Sequence, residues 1–141
     1  MHKPKLYFTS VSHTLTSLQY SLSPDPATIN IELNINKIGS YRILTCSEEE
    51  LILEVKTSIQ GEPESIFSLE AIYIQSNKID TEKSEKFGSD EERLEYVNDN
   101  IEKIIEGGKG LEQITLLVGN ITSTFGNIPL IIPPFFSIKR D

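Results

Sequence analysis

Cysteine, tryptophan and histidine are almost missing from this chain: one, none and two in 141 residues. With Cys46 alone no disulfide can close within the chain, and His2 and His13 complete no metal-ligand spacing, so neither a metal nor a disulfide framework is expected. Basic residues are short as well, 13 against 21 acids for a formal charge of −8, and that field repels a phosphate backbone. No nucleic-acid partner is expected. No run approaches the ~20 apolar residues of a spanning helix, and the first twenty residues lack the unbroken apolar core of a signal peptide. A soluble, cytoplasmic protein in a reducing compartment, with no membrane insertion, is the expectation.

Catalytic machinery is equally sparse. Gly107, Gly108 and Gly110 are not followed by the Lys-Ser/Thr of a phosphate loop, so they read as a break between helices. His13 has no Ser, Cys or acid in a recognisable nucleophile motif beside it. Cys46 stands before Glu48-Glu49-Glu50, whose charge would disfavour a reactive thiolate. Asn120-Ile121-Thr122 has the spacing of a glycosylation acceptor but falls inside a helical pattern, and the acids between Asp80 and Glu106 read as a solvated face. No enzyme, no catalytic residue and no cofactor are expected.

What is present is a globular composition, 38% apolar and 24% charged, at a length suited to one domain over residues 1–141. From Ala27 to Lys37, Ile29, Ile31, Leu33 and Ile35 alternate with Asn30, Glu32, Asn34 and Asn36, the period of a strand with one wet face, assigned to residues 27–38. The same period recurs over 49–60, with Leu51, Leu53, Val55, Thr57 and Ile59 on one side. A turn at Gly61-Glu62-Pro63-Glu64 leads into a third alternating run over 65–75, carrying Phe67, Leu69, Ala71 and Tyr73. Residues 5–22 are rich in β-branched and aromatic side chains and stop at Ser23-Pro24-Asp25-Pro26, which predicts a long, bent first strand. Ser89 and Glu92 are spaced as a capping box before Leu94, Val97, Ile101, Ile104 and Ile105, which predicts a helix over 90–106. Leu111, Ile114, Leu117, Val118, Ile121 and Phe125 predict a second helix over 110–125. Strands first and helices second predict an α+β fold: a four-stranded antiparallel sheet with two helices of the C-terminal half packed on one face.

The stretch 127–136 is unusual, since Ile128 to Phe136 holds three prolines and six large apolar side chains. Gly126, Pro129, Leu130, Ile132, Pro133 and Phe136 together resemble the segment that follows the long helix of SecB-type export chaperones. Leu6-Tyr7 opening the first strand, the prolines of a crossover near Ser23 to Pro26 and the Gly61-Glu62 hairpin agree in order, so the resemblance covers nearly the whole chain. It implies an ATP-independent holdase that binds unfolded polypeptide clients or preproteins along an apolar groove, in tetramers built as dimers of dimers. Tyr7, Phe8, Tyr20 and Leu22 are the candidates for lining that groove, or else are ordinary strand core or dimer interface, with Leu130, Ile132, Phe135 and Phe136 of the tail as a client surface or as a cap on the core. The family contacts the SecA motor through acids of the first strand and a Leu and Glu of the fourth. Here those positions fall at Ser10, Thr14 and Ser68, and only Glu70 remains. The family's C-terminal helix and tail are also expected to be absent beyond Asp141. SecA is thus one implied partner. A single dedicated partner of antitoxin type is an alternative, and an assembly module that merely builds a homo-oligomer, dimer or tetramer, is a third.

Overall fold

The computed structural model describes residues 4–22, 34–62, 67–124 and 136. Four long strands, β1 (Phe8–Leu22), β2 (Asn34–Cys46), β3 (Glu50–Glu62) and β4 (Phe67–Ile79), form one antiparallel sheet in the order β1-β4-β3-β2. Three helices follow, α1 (Asp90–Asp99), α2 (Ile101–Gly107) and α3 (Gly110–Thr124). The α+β architecture with the helices on one face of the sheet is as the strand and helix periods predict.

The period-two readings of the central strands hold residue by residue. Leu51, Leu53, Val55, Thr57 and Ile59 of β3 and Leu69, Ala71 and Tyr73 of β4 are all buried. They meet Val97, Ile101, Ile105, Leu111, Ile114 and Val118 of the helices in a single core, where each large apolar side chain stabilises by about 1.5–3 kcal/mol. Burial continues past Tyr73 with polar residues, because β4 runs to Ile79 rather than stopping at 75. Gln75 and Asn77 stay in the dry layer by bonding to each other, to the Leu51 carbonyl and to the Ile104 carbonyl of α2.

Two expectations are corrected. The strand assigned to 27–38 extends to Cys46, and 23–33 lie outside the described residues. The helix assigned to 90–106 is divided at Asn100, whose backbone N–H reaches the Tyr96 and Val97 carbonyls while its side-chain amide donates to Tyr96 O at 2.8 Å. Asn98-Asp99-Asn100 is a run whose short polar side chains compete for backbone groups, and the helix re-forms one residue later. Ser89 does cap α1, its hydroxyl accepting the Glu92 N–H, but the Glu92 carboxylate returns to Gly88 N rather than to the cap residue itself.

The apolar stripe of α1 is also turned. Leu94 is exposed and Arg93 is buried in its stead. Its guanidinium lies over the Phe87 ring, 6.0 Å from the centroid, and pairs with Asp90 at 2.7 Å and Glu48 at 3.7 Å, so the charge is compensated where it is buried.

The α2–α3 joint shows why glycines cluster at 107–110. The one described non-glycine residue with positive φ is Lys109, at 64°, whereas Gly108 and Gly110 are required by close approach. A Cβ at Gly108 would lie 2.6 Å from the Gln75 amide, and one at Gly110 would lie 2.6 Å from the His13 ring. Replacing Lys109 by glycine is therefore expected to stabilise the fold by about 1 kcal/mol, through relief of the left-handed conformation. A urea midpoint at or below the wild type would contradict this.

Candidate functional site

β1 lies at the edge of the sheet, paired on one side to β4. Its 15 residues, FTSVSHTLTSLQYSL, include no Asp, Glu, Lys or Arg, in a chain of which 24% is charged. Edge strands of soluble proteins are commonly blunted by charge, because an unpaired row of N–H and C=O groups recruits other strands. The opposite edge, β2, carries Lys37 and Arg42, so β1 alone among the described edges lacks that protection. Two register shifts increase its twist, and each skips a threonine, Thr9 and Thr16, whose hydroxyls donate to the Lys78 and Ile72 carbonyls of β4.

Val11, His13 and Leu15 stand opposite Asn77, Gln75 and Tyr73 and so share the helix side of the sheet. No described strand lies beyond β1, and Val11 and Leu15 stay 38% and 47% exposed. A cavity of about 220 Å³ opens beside Leu15 between β1 and the start of α3, lined also by His13, Tyr73, Gly110, Gln113, Ile114 and Leu117. Its floor is rigid. The Gln75 amide nitrogen donates to Asn77 Oδ1 and Ile104 O, which leaves its oxygen facing His13 Nε2 at 3.3 Å and makes that nitrogen the protonated one. His13 also meets Tyr73 edge to face at 5.6 Å.

The Tyr73 hydroxyl is buried with no partner among the described residues, and burial holds its pKa far above the ordinary phenol value. Tyr73→Phe is expected to leave stability unchanged or raise it by about 1 kcal/mol, since it removes a polar atom that lost its water without gaining a bond. A clear loss in urea denaturation would mean that the hydroxyl is satisfied in solution.

A second built feature lies on β2. Phe136, in neither helix nor strand, is 3% exposed, and its backbone N–H donates to Glu106 Oε1 at 3.0 Å. Its ring fills the space beside Gly39, where a Cβ would come within 2.3 Å of Cε2. Lys37, two residues earlier on the same face, is half-buried, and its pKa is lowered by burial and pushed back up by Glu106.

The four groove candidates of the first strand are not brought together. Tyr7 and Phe8 lie at one end of β1, beside the 80–84 turn, where Tyr7 N–H bonds Ser84 Oγ and its carbonyl accepts Asp80 N–H. Tyr20 and Leu22 lie at the other end, in register with Leu69 and Phe67, about 40 Å away at ~3.3 Å per residue. Tyr7 is exposed, Phe8 and Tyr20 pack half-buried against the core, and burial raises the Tyr20 pKa. Of the tail candidates, Phe136 is a core residue, while Leu130, Ile132 and Phe135 lie outside the described residues. Ser10, Thr14, Ser68 and Glu70 all fall on the face away from the helices, and Glu70 is paired to Lys56 at 3.3 Å. The Cys46 thiol is pushed up by its own burial, ahead of any nearby acid. The strand pattern could not reveal the uncharged edge, because edge position is not a local property.

No protein-family model matches the chain, and no curated protein matches it in sequence. Among solved structures, a SecB-like chaperone of Mycobacterium tuberculosis, in complex with a ChAD peptide from an antitoxin, is similar at TM-score 0.58 and 9% identity, over 94% of this chain and 87% of that one. A protein of unknown function from Streptococcus agalactiae is similar at TM-score 0.51 and 9% identity, over 94% and 99% of the two chains. The fold of this chain is SecB-like. No described helix is long and apolar enough to cross a membrane.

Proposed function

We propose that this chain is a polypeptide-binding domain of chaperone type, a holdase that takes extended, apolar segments of a partner protein without nucleotide hydrolysis. The observation that carries the reading is the uncharged edge of β1, with no described strand beyond it and with Val11 and Leu15 exposed on its helix side. An extended segment adding to β1 would satisfy its backbone groups and place alternate side chains on the apolar shelf. Affinity would come from apolar area removed from water, at ~25 cal/mol per Å² before ordering costs. Release then depends on competition or mass action. The likeness to a chaperone solved with an antitoxin peptide supports a protein partner of this kind.

A dedicated partner suits the surface better than the SecA motor. The positions expected to carry acids are Ser10 and Thr14, and Glu70 is already engaged by Lys56. Self-association is a second reading of the same edge. Because β1 carries no formal charge, two copies can pair β1 to β1 without like charges meeting, although each chain bears −8.

Aggregation of a reduced, unfolded client at rising ratios of this protein, with mass by light scattering, tests these readings. Saturable suppression by a monomer supports strand addition by the client. A dimer or tetramer joined through β1 that still suppresses aggregation places clients elsewhere. No suppression of any of several clients would remove the holdase.

A further inference from the structure

The face of the sheet away from the helices differs in charge from the rest of the molecule. Across the rows from Ser10–Lys78–Glu50 to Ser21–Ser68–Gln60, its ionisable side chains are Arg42, Lys56 and Lys78 against Glu50, Glu54 and Glu70. That is three of each sign in a chain of formal charge −8, so the surplus of acid lies elsewhere. Arg42 pairs with Glu54 at 3.2 Å, Lys56 pairs with Glu70 at 3.3 Å, and Lys78 stands opposite Glu50 in the β3–β4 ladder. β1 adds only neutral residues here, Ser10, Ser12, Thr14, Ser17, Gln19 and Ser21. This face has no net field to repel a copy of itself.

It is also less polar than a wetted antiparallel face, which ordinarily takes polar residues at such positions. Ile52, Ile74 and Ile72 occupy three consecutive rows of the two central strands, half-buried, and Ile38 of β2 is 45% exposed on the same side. The register makes these residues complementary to themselves. A two-fold axis in the plane of contact, across the strands and midway between the Thr14–Ile74–Glu54–Arg42 row and the Ser17–Ile72–Lys56–Ser40 row, brings Ile74 of one copy over Ile72 of the other and Glu54 over Lys56. The remaining charges meet neutral polar side chains: Arg42 meets Ser40, Glu70 meets Ser76, Lys78 meets Ser68 and Glu50 meets Gln60. Like charges meet nowhere. Stacked sheets lie ~10 Å apart with their strands within about 30° of each other, so the central rows keep this register best. Strands ~4.8 Å apart and rows ~6.8 Å apart give about 780 Å² on each copy, close to the ~800 Å² per partner of a standard stable interface.

We propose that the helix-free face of the sheet is an isologous interface whose occupant is a second copy of this chain, stacked sheet on sheet. The inference does not rest on the polypeptide-binding reading. In such a pair the backbone edge of β1 and its apolar shelf, on the other side of the sheet, both stay open.

Glu54→Lys and Lys56→Glu test the two-fold in the full chain. The first sets a lysine at 54 against Lys56 of the other copy, and the second sets two carboxylates against each other. Each variant alone is expected to self-associate at least about tenfold more weakly than the wild type, by light scattering over a range of concentrations, because like charges are brought together. Mixed in equal amounts, the two variants place every new charge against its opposite, and association should return to within about threefold of the wild type. Glu91→Lys and Lys103→Glu, at exposed positions on the helices, repeat the same net charges and should associate as the wild type does, alone or mixed. Urea denaturation confirms that each variant is folded. A mixture no tighter than its two components would overturn the proposal. So would a wild type that stays one chain at every concentration, which leaves the face to a different protein. A dimer indifferent to both variants but lost on Val11→Asp with Leu15→Asp would overturn it too, since that pair is joined at β1.

Discussion

Replacing Val11 and Leu15 together by aspartate is expected to lower affinity for extended polypeptide at least about a hundredfold, while the urea midpoint changes little. Both side chains are already partly in water, so in the free protein the new carboxylates stay hydrated and the fold loses little. In the complex they would be covered on the helix side of β1 with no cation on that strand to meet them. Burying a charge without a partner costs several kcal/mol, and about 3 kcal/mol is a hundredfold in affinity. The added charge would also restore the protection that natural edges carry. If a second copy is the occupant of β1, light scattering should show the mass falling by half. Unchanged mass and unchanged client binding in a folded variant would remove β1 from the binding surface altogether.

The largest stability effect is expected at Gly110. A methyl there would lie 2.6 Å from His13 Cδ2 and 2.8 Å from Tyr73 Cε2, and neither ring is free to withdraw. Tyr73 is buried, and His13 is held by Gln75, which is itself tied to Asn77 and to the Ile104 carbonyl. Gly110→Ala should therefore cost about 3 kcal/mol by forcing the α2–α3 joint off the sheet, or roughly 10 °C in Tm. Gly107→Ala is the matched control, three residues away at the end of α2, with nothing within 4 Å of the added carbon. It is expected to stabilise by about 0.5–1 kcal/mol, because alanine loses less backbone entropy in a helix. Equal effects at the two positions, measured by urea denaturation, would refute packing as the reason for Gly110.

Both cases turn on distinctions that adjacent residues do not carry. Gly107, Gly108 and Gly110 read alike as a helix break, yet one is open to solvent and two touch the sheet. The strand assigned to 27–38 in fact continues through Gly39 to Cys46. Phe136, 97 positions along the chain, is what makes that glycine fit. Asn98-Asp99-Asn100 did hold a local signal for the division between α1 and α2, outweighed by the apolar steps on either side.

Sequence alone determined which residues of β3 and β4 face the core, the capped start of α1 at Ser89, the stripe of α3 and the α+β order of strands and helices. These follow from periods of two and 3.6 and from capping chemistry, which act over a few residues. Only the tertiary structure decided that β1 is an edge without charge, that Tyr7 and Phe8 stand a strand's length from Tyr20 and Leu22, that Arg93 rather than Leu94 turns inward, and that Phe136 closes on Gly39. Each of these is settled by which strand or ring arrives from far along the chain, and the free energy of such an encounter depends on space filled and backbone groups paired, quantities that no short window of residues contains.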